Sequence, residues 1–343
     1  MNFTTNKHNP LRILICSSNT CYFYPDAIME AFLKQGVTVT RLEYRETNIL
    51  KLERSSFLRR ISPWIRLQRI NKALLSSVKK FQPDLVLVIN GEALFRETIQ
   101  KISTKCKVFH WAIDGISNLK THKENFDDYD LNYVFEPTDV PLIPKSVYLP
   151  LGVSFKYFYP TQVAKTIDVS FIGSPHSNRL LFLENLAMES RGKFNFQIFG
   201  PFQKVCPSEY PNICSCVKKN SFLTTDEIKE IYAQSKISLN PHHTQSKVGL
   251  NPRVFEISAC KTFQLCSDQE YLTKFFSKEE VASYKDLEDL IAKIMYFLSH
   301  EDEREEKALS AYKIAQSNTF ENRIAKILNH FWEQKNQTLR EKK

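Results

Sequence analysis

Pro83-Asp84-Leu85-Val86-Leu87-Val88-Ile89-Asn90-Gly91, residues 83–91, is the stretch that decides the fold class. Leu85–Ile89 is apolar throughout, with no polar alternation, which describes a strand covered on both faces. Turn-forming residues bound it on either side, Pro83-Asp84 before and Asn90-Gly91 after. Upstream, between Pro63 and Lys80, Trp64, Leu67, Ile70, Leu74, Leu75 and Val78 recur at three- and four-residue steps. That spacing predicts an amphipathic helix whose other face carries Arg66, Arg69, Lys72, Lys79 and Lys80. Downstream, a helix is expected near residues 93–102 and a strand over Lys107–Trp111. Helix, buried strand, helix, strand is the succession of a parallel, doubly wound sheet.

The alternation continues in both directions. Strands are expected at residues 11–16 and 37–42 around a helix at 26–35, and again at 131–135 and 147–149. Pro150-Leu151-Gly152 and the aromatic, proline-ended run 155–160 then break the pattern, and a polar stretch over 161–166 marks a domain boundary. Strands resume at 168–172, 194–199, 237–239, 263–266 and 281–284. Helices fall at 178–189 and after a cap at Thr225. The sequence reads as α/β, with Rossmann-like domains over residues 1–155 and 156–318. A C-terminal helix and polar tail follow over 319–343, with Ile324, Ile327, Leu328 and Phe331 as the apolar stripe of that helix.

A chain of 343 residues suits two domains, and 42% apolar with 25% charged residues is a globular balance. No run of about 18 apolar residues predicts a transmembrane helix. The first ten residues lack the apolar segment of a secretory signal. Eight cysteines, some within expected strands, suggest reduced thiols, so a cytoplasmic location is expected. Cys214-Ser215-Cys216, with Cys206 and His242-His243, fits no zinc spacing, and no metal is expected. The net charge of +9 is concentrated: nine cations stand between Lys51 and Lys80 against Glu53 alone. The patch containing Arg59, Arg60, Trp64, Arg66, Arg69 and Lys72 reads as a solvated face, an acidic-acceptor or nucleic-acid surface, or a membrane-surface helix. Its interleaved Trp64, Leu67 and Ile70 suit an anionic membrane better than a phosphate-tracking groove, so no nucleic acid is expected and attachment to the inner face of the membrane is.

Rossmann-like domains place ligands at the carboxyl ends of strands. In the second half, Gly173, Ser174 and Arg179 follow one such strand and Gly200 another, and Lys247 precedes a helix start at Asn251-Pro252-Arg253. Without a G-x-G-x-x-G pattern, a nicotinamide dinucleotide is disfavoured. Asn251 is a candidate N-cap, Pro252 suits the first helical position, and Arg253 and Glu256 share a face. A helix N-terminus with free N–H groups is an anion site, and Glu256 one turn further can accept from a ribose. A capped helix with an internal salt bridge, beside solvated cations, is the competing reading. In the first half, His110 and Asp114 leave a strand and can act as general base or grip a sugar hydroxyl. A backbone-bonded histidine and a capping aspartate is the alternative. No G-x-S-x-G elbow or P-loop is present, which removes hydrolase and ATPase readings.

These landmarks, in order, resemble those of the CgeB-type, spore-maturation-protein-like glycosyltransferases within the wider GT-B group. They begin with residues 83–88, Trp111, Asp114 and Tyr129-Asp130. They continue through Leu149-Pro150-Leu151-Gly152-Val153, then Asp168 to Ser174 with Arg179. Asn251-Pro252-Arg253-Val254-Phe255-Glu256, Tyr284, Leu287 and Asn318-Thr319-Phe320 with Arg323 complete the set. The resemblance implies two Rossmann-like domains facing each other across a cleft, with the last helix crossing back to the first domain. It also implies metal-independent, cofactor-free transfer of a sugar from a nucleotide-diphosphate sugar held by the second domain. The acceptor, a glycan, lipid-linked saccharide or protein, would be held by the first. Glu256 matches the second glutamate of the GT-B donor motif; Val248 stands where the first is expected. Non-catalytic nucleotide-sugar binding and sugar-nucleotide epimerisation are the alternatives.

Overall fold

A computed structural model describes residues 10–18, 23–44, 63–118, 123–242 and 246–341. Arg59, Arg60 and residues 243–245 lie outside the described residues. The chain divides into two compact units, Met1–Leu151 with Phe320–Lys343, and Gly152–Thr319.

The first unit runs β1 (Arg12–Ser18), α1 (Tyr24–Lys34), β2 (Thr38–Tyr44), α2 (Pro63–Phe81), β3 (Leu85–Ile89), α3 (Arg96–Ser103), β4 (Lys107–Trp111), β5 (Leu131–Val134) and β6 (Ser146–Tyr148). Its six strands are parallel in the order β2-β1-β3-β4-β5-β6, so the order reverses between β1 and β3. Every residue of β3 is buried, as its unbroken apolar run requires. Ile70, Leu74 and Val78 of α2 pack into one cluster with Val86 and Val88. Helix α3 starts later than its apolar spacing suggests. Ala93 and Leu94 are drawn into the core, and the Phe95 N–H donates to the side chain of Asn71 at 2.9 Å.

The second unit runs β7 (Ile167–Ile172), α4 (Ser177–Glu189), β8 (Phe196–Phe199), α5 (Pro211–Cys216), β9 (Val217–Lys219), α6 (Thr225–Gln234), β10 (Ser235–Asn240), α7 (Arg253–Ala259), β11 (Phe263–Ser267), α8 (Leu272–Phe275), β12 (Ala282–Tyr284), α9 (Leu287–Ser299) and α10 (Glu301–Gln316). Its parallel strands lie in the order β12-β11-β10-β7-β8-β9. This is the dinucleotide-fold order, with its reversal between β7 and β10. Thr224, one residue before the expected cap, starts α6. Its hydroxyl accepts from the Glu227 N–H while the Glu227 carboxylate accepts from the Thr224 N–H, a capping box.

The last helix, α11 (Phe320–Glu341), belongs to the first unit. Its stripe of Ile324, Ile327, Leu328 and Phe331 is buried, and α11 packs on α1. Arg323 Nε donates to the Pro150 carbonyl at 2.9 Å, and the Tyr133 hydroxyl meets His330 Nδ1 at 3.0 Å. The chain passes between units at 151/152 rather than 155/156. Val153 already bridges Thr319, and Phe158 packs against Tyr232 inside the second unit. No helix among the described residues is long and apolar enough to cross a membrane.

Candidate active site

In the second unit, the carboxyl ends of β7, β10, β11 and β12 bring together residues that are far apart in sequence. Arg179, on the first turn of α4, is only 4% exposed. Its Nη2 donates to the Pro241 carbonyl at 2.8 Å, just beyond β10, while its Nε has no partner among the described residues. Burial first, then the nearby charge of Arg253, lowers its pKa to about 10, so the guanidinium stays charged at neutral pH. Arg253, the first residue of α7, is half-buried and has no ion pair or side-chain hydrogen bond among the described residues.

His242 stands against both cations. Its main-chain N–H donates to Ser267 Oγ at 2.9 Å, and its Nδ1 lies 3.1 Å from the same oxygen. Burial, then Arg179 and Arg253, push its pKa down to about 3 and keep the ring neutral. With the Ser267 hydroxyl hydrogen on Nδ1, the ring proton sits on Nε2, which has no partner among the described residues. Ser246 Oγ, Asn251 Oδ1 and the Tyr284 hydroxyl are also buried without hydrogen bonds among the described residues. Each buried polar group left unmade costs about 1–3 kcal/mol, so such a concentration marks a place built for a polar ligand. Two guanidiniums close to His242, with Arg179 also close to Tyr284, give this place the charge to hold an anion.

The helix start at Asn251 differs from its expected form. The Asn251 side chain does not cap α7; its amide donates to Asn240 Oδ1 at 2.8 Å, at the end of β10. The N–H groups of Val254 and Phe255 are taken by the Asn251 and Pro252 carbonyls, so the tight first turn consumes donors expected to be free. Positive charge here comes from side chains instead. Glu256 is 5% exposed on a helix that is buried almost throughout, and Lys247 is exposed in the preceding bend.

Gly173 and Gly200 serve the packing of the strand ends. A side chain at Gly173 would press on the Phe171 ring, with Cβ 2.8 Å from Cζ. One at Gly200, whose φ is +144°, would collide with the Gly173 carbonyl oxygen. Gly200 therefore lets β7 and β8 end side by side. Ser174 follows β7 half-buried.

In the first unit, the ends of β3 and β4 are organised by Asn90, which adopts φ +58°. Its Oδ1 accepts from the Ile113 N–H at 2.9 Å and its Nδ2 donates to Asp114 Oδ2 at 3.1 Å. Asp114 is half-buried; burial raises its pKa and the Asn90 amide draws it part of the way back. Glu92 accepts from the Tyr44 hydroxyl at 3.1 Å. His110 does not leave the strand as expected. It lies within β4 with no exposed surface, its Nε2 3.1 Å from the Asn90 carbonyl and its ring stacked on Tyr129. Burial lowers its pKa to about 4. This enclosure removes His110 from contact with an acceptor, whereas Asp114 stays partly exposed.

On α2, Trp64, Arg66, Arg69 and Lys72 are exposed, whereas Ile70 is buried in the core and Leu67 packs against it, so these two are unavailable to a membrane. Asn90 and Tyr284 were not among the candidate contacts. Their signal was position alone, each at or just after a strand's carboxyl end. Among the described residues no group of three or more His, Cys, Asp or Glu can hold a metal ion.

Residues 179–329 match the protein family described as glycosyl transferase-like. The solved sucrose-phosphate synthase of Thermosynechococcus elongatus is similar over 94% of this chain and 99% of its own, with TM-score 0.69 and 11% identity. A glycosyltransferase from Rickettsia africae is similar over 95% and 99%, with TM-score 0.69 and 14% identity. The fold is GT-B. Anabaena HepE, solved in complex with UDP, shares it over 93% of this chain and 100% of its own, with TM-score 0.62 and 10% identity. Identities of this size establish the GT-B fold and nothing finer. A comparison with curated proteins found no match.

Proposed function

We propose that this protein transfers a glycosyl group from a nucleoside diphosphate sugar to a hydroxyl-bearing acceptor, as a metal-independent glycosyltransferase. The observation that carries this reading is the buried Arg179 beside Arg253, with no ion pair among the described residues, near polar atoms that have no partner among them at the β7/β10 reversal. Arg179, Arg253 and Lys247 neutralise the diphosphate, where negative charge grows as the glycosidic C–O bond breaks. Neutral His242 and the Tyr284 hydroxyl hydrogen-bond the phosphate oxygens. Glu256 contacts the ribose, as the resemblance to CgeB-type proteins implies. The solved complexes of HepE with UDP and with UDP-glucose favour a donor of this class. In the first unit Asp114 takes the proton of the attacking hydroxyl, on a glycan, lipid-linked saccharide or protein; its raised pKa suits a general base.

Calorimetry with UDP-, GDP-, TDP- and CMP-sugars tests this directly. Binding of one nucleoside diphosphate series is expected, with slow release of the nucleoside diphosphate when water replaces the acceptor. Binding of none, or of the CMP-sugar alone, overturns the reading. Val248, standing where the resemblance expects a glutamate, favours a second reading in which the donor is bound without transfer. That reading predicts the same affinity and no nucleotide release with any acceptor.

A further inference from the structure

We infer that the outward face of α2 is a docking surface for an anionic lipid bilayer. The helix carries five cations, Arg66, Arg69, Lys72, Lys79 and Lys80, and no acidic residue. All five are exposed, and none has an ion pair or side-chain hydrogen bond among the described residues. At 3.6 residues per turn they fall within an arc of about 140°, opposite the stripe of Ile70, Leu74 and Val78 that α2 buries in the first unit. A helix that keeps its apolar stripe for the core and turns an all-positive arc outward presents a charged surface without spending any packing contact on it. Trp64 lies on the same helix, about 60° outside that arc, and is 61% exposed. An exposed indole on a helix whose outward face carries cations is the composition of an interfacial helix. The positive surface continues past the helix end, where Lys79 and Lys105 flank a hollow of about 480 Å³ bounded by Val78, Gln82 and Pro83.

Charge complementarity selects the partner. From Trp64 to Lys80 the helix spans about 24 Å, so its cations meet a flat negative surface at several points together. The aromatic anchor adds an apolar contact that a phosphate backbone alone does not use. This surface is independent of the donor site, so its failure leaves the glycosyl-transfer reading untouched, and the reverse holds as well.

The full chain is mixed with vesicles of phosphatidylglycerol and phosphatidylcholine, and with vesicles of phosphatidylcholine alone, and partition is read by sedimentation. Binding to the anionic vesicles only is expected, released at about 0.5 M salt. The double substitution Arg69→Gln/Lys72→Gln lowers the partition coefficient about 30-fold. The same charge change in the second unit, Lys204→Gln/Lys218→Gln, leaves it unchanged. Tryptophan emission shifts to the blue on anionic vesicles, and Trp64→Phe abolishes the shift. Circular dichroism checks that each variant is folded. Equal partition of the α2 variant and the parent overturns the inference, as does equal weakening by the second-unit variant. Duplex DNA displacing the protein from vesicles through the same residues makes the surface a nucleic-acid site instead.

Discussion

The two units share a topology and differ in what they put at their strand ends. In the second, two guanidiniums and a neutral histidine stand near polar atoms that lack partners among the described residues. In the first, Asn90 uses both ends of its amide and its backbone to tie β3, β4 and the loop to Asp114 together, and the charge there is a half-buried carboxylate. A parallel sheet offers the carboxyl ends of its strands to a ligand, and the groups compared here stand at the β7/β10 reversal in the second unit and at the ends of β3 and β4 in the first. The side chains settle which ligand. One edge is electropositive and under-bonded, suited to a diphosphate; the other is closely bonded around one carboxylate, suited to receiving a proton.

Four experiments break or sharpen this contrast, in order of expected effect. Asp114→Asn lowers turnover by about 10²–10⁴-fold while the donor dissociation constant stays the same. In the parent, raised Asp114 affinity for its proton places the acid limb of the pH–rate profile above the range of an ordinary aspartate. A fall in donor affinity equal to the fall in rate would show that the two edges do not divide the work. Next is His110. A histidine held neutral in the fold and free to charge when unfolded contributes stability that is present above its ordinary pKa of 6.5. That stability is lost as pH falls toward 4. The loss amounts to about 3 kcal/mol, and denaturant titrations at a series of pH values should show it shrinking in His110→Gln.

Arg179→Gln comes third. It should weaken binding of the nucleoside diphosphate by about 100-fold in calorimetry, with a flat or improved melting temperature for the ligand-free protein. The improvement follows from removing a buried charge that no carboxylate among the described residues pairs. A melting temperature that drops sharply instead would make Arg179 a structural pillar of the β10 turn. The smallest effect belongs to Gly200→Ala, which should cost about 1–3 kcal/mol of stability by forcing β8 away from Gly173. Its donor affinity should change less than that of Arg179→Gln, because the added Cβ meets the Gly173 carbonyl oxygen.

Much of the fold was legible because parallel strands buried on both faces announce themselves. Leu85–Ile89 and Lys107–Trp111 have the bounds that their apolar runs predict, and the helix bearing Arg66, Arg69 and Lys72 follows its three- and four-residue spacing. Local rules failed where a distant partner outbid a local one. Asn251 is a good cap by residue type, yet Asn240, eleven positions away along the chain, takes its amide. His110 was expected near the end of its strand with freedom to face a ligand, but Asn132 on β5 stands opposite it and continues the sheet over it.

Sequence by itself determined that this chain forms two α/β units, which strands are covered on both faces, and which helix carries the positive face. Those features depend on the order of apolar and charged residues within one element. Only the tertiary structure decided that Arg179, His242, Arg253 and Tyr284, spread over more than a hundred positions, stand together at one sheet edge, and that Gly200 exists for Gly173. Hydrogen bonding, burial and charge pairing act through space, and the strand order that brings these residues together is not written in any local stretch of the chain.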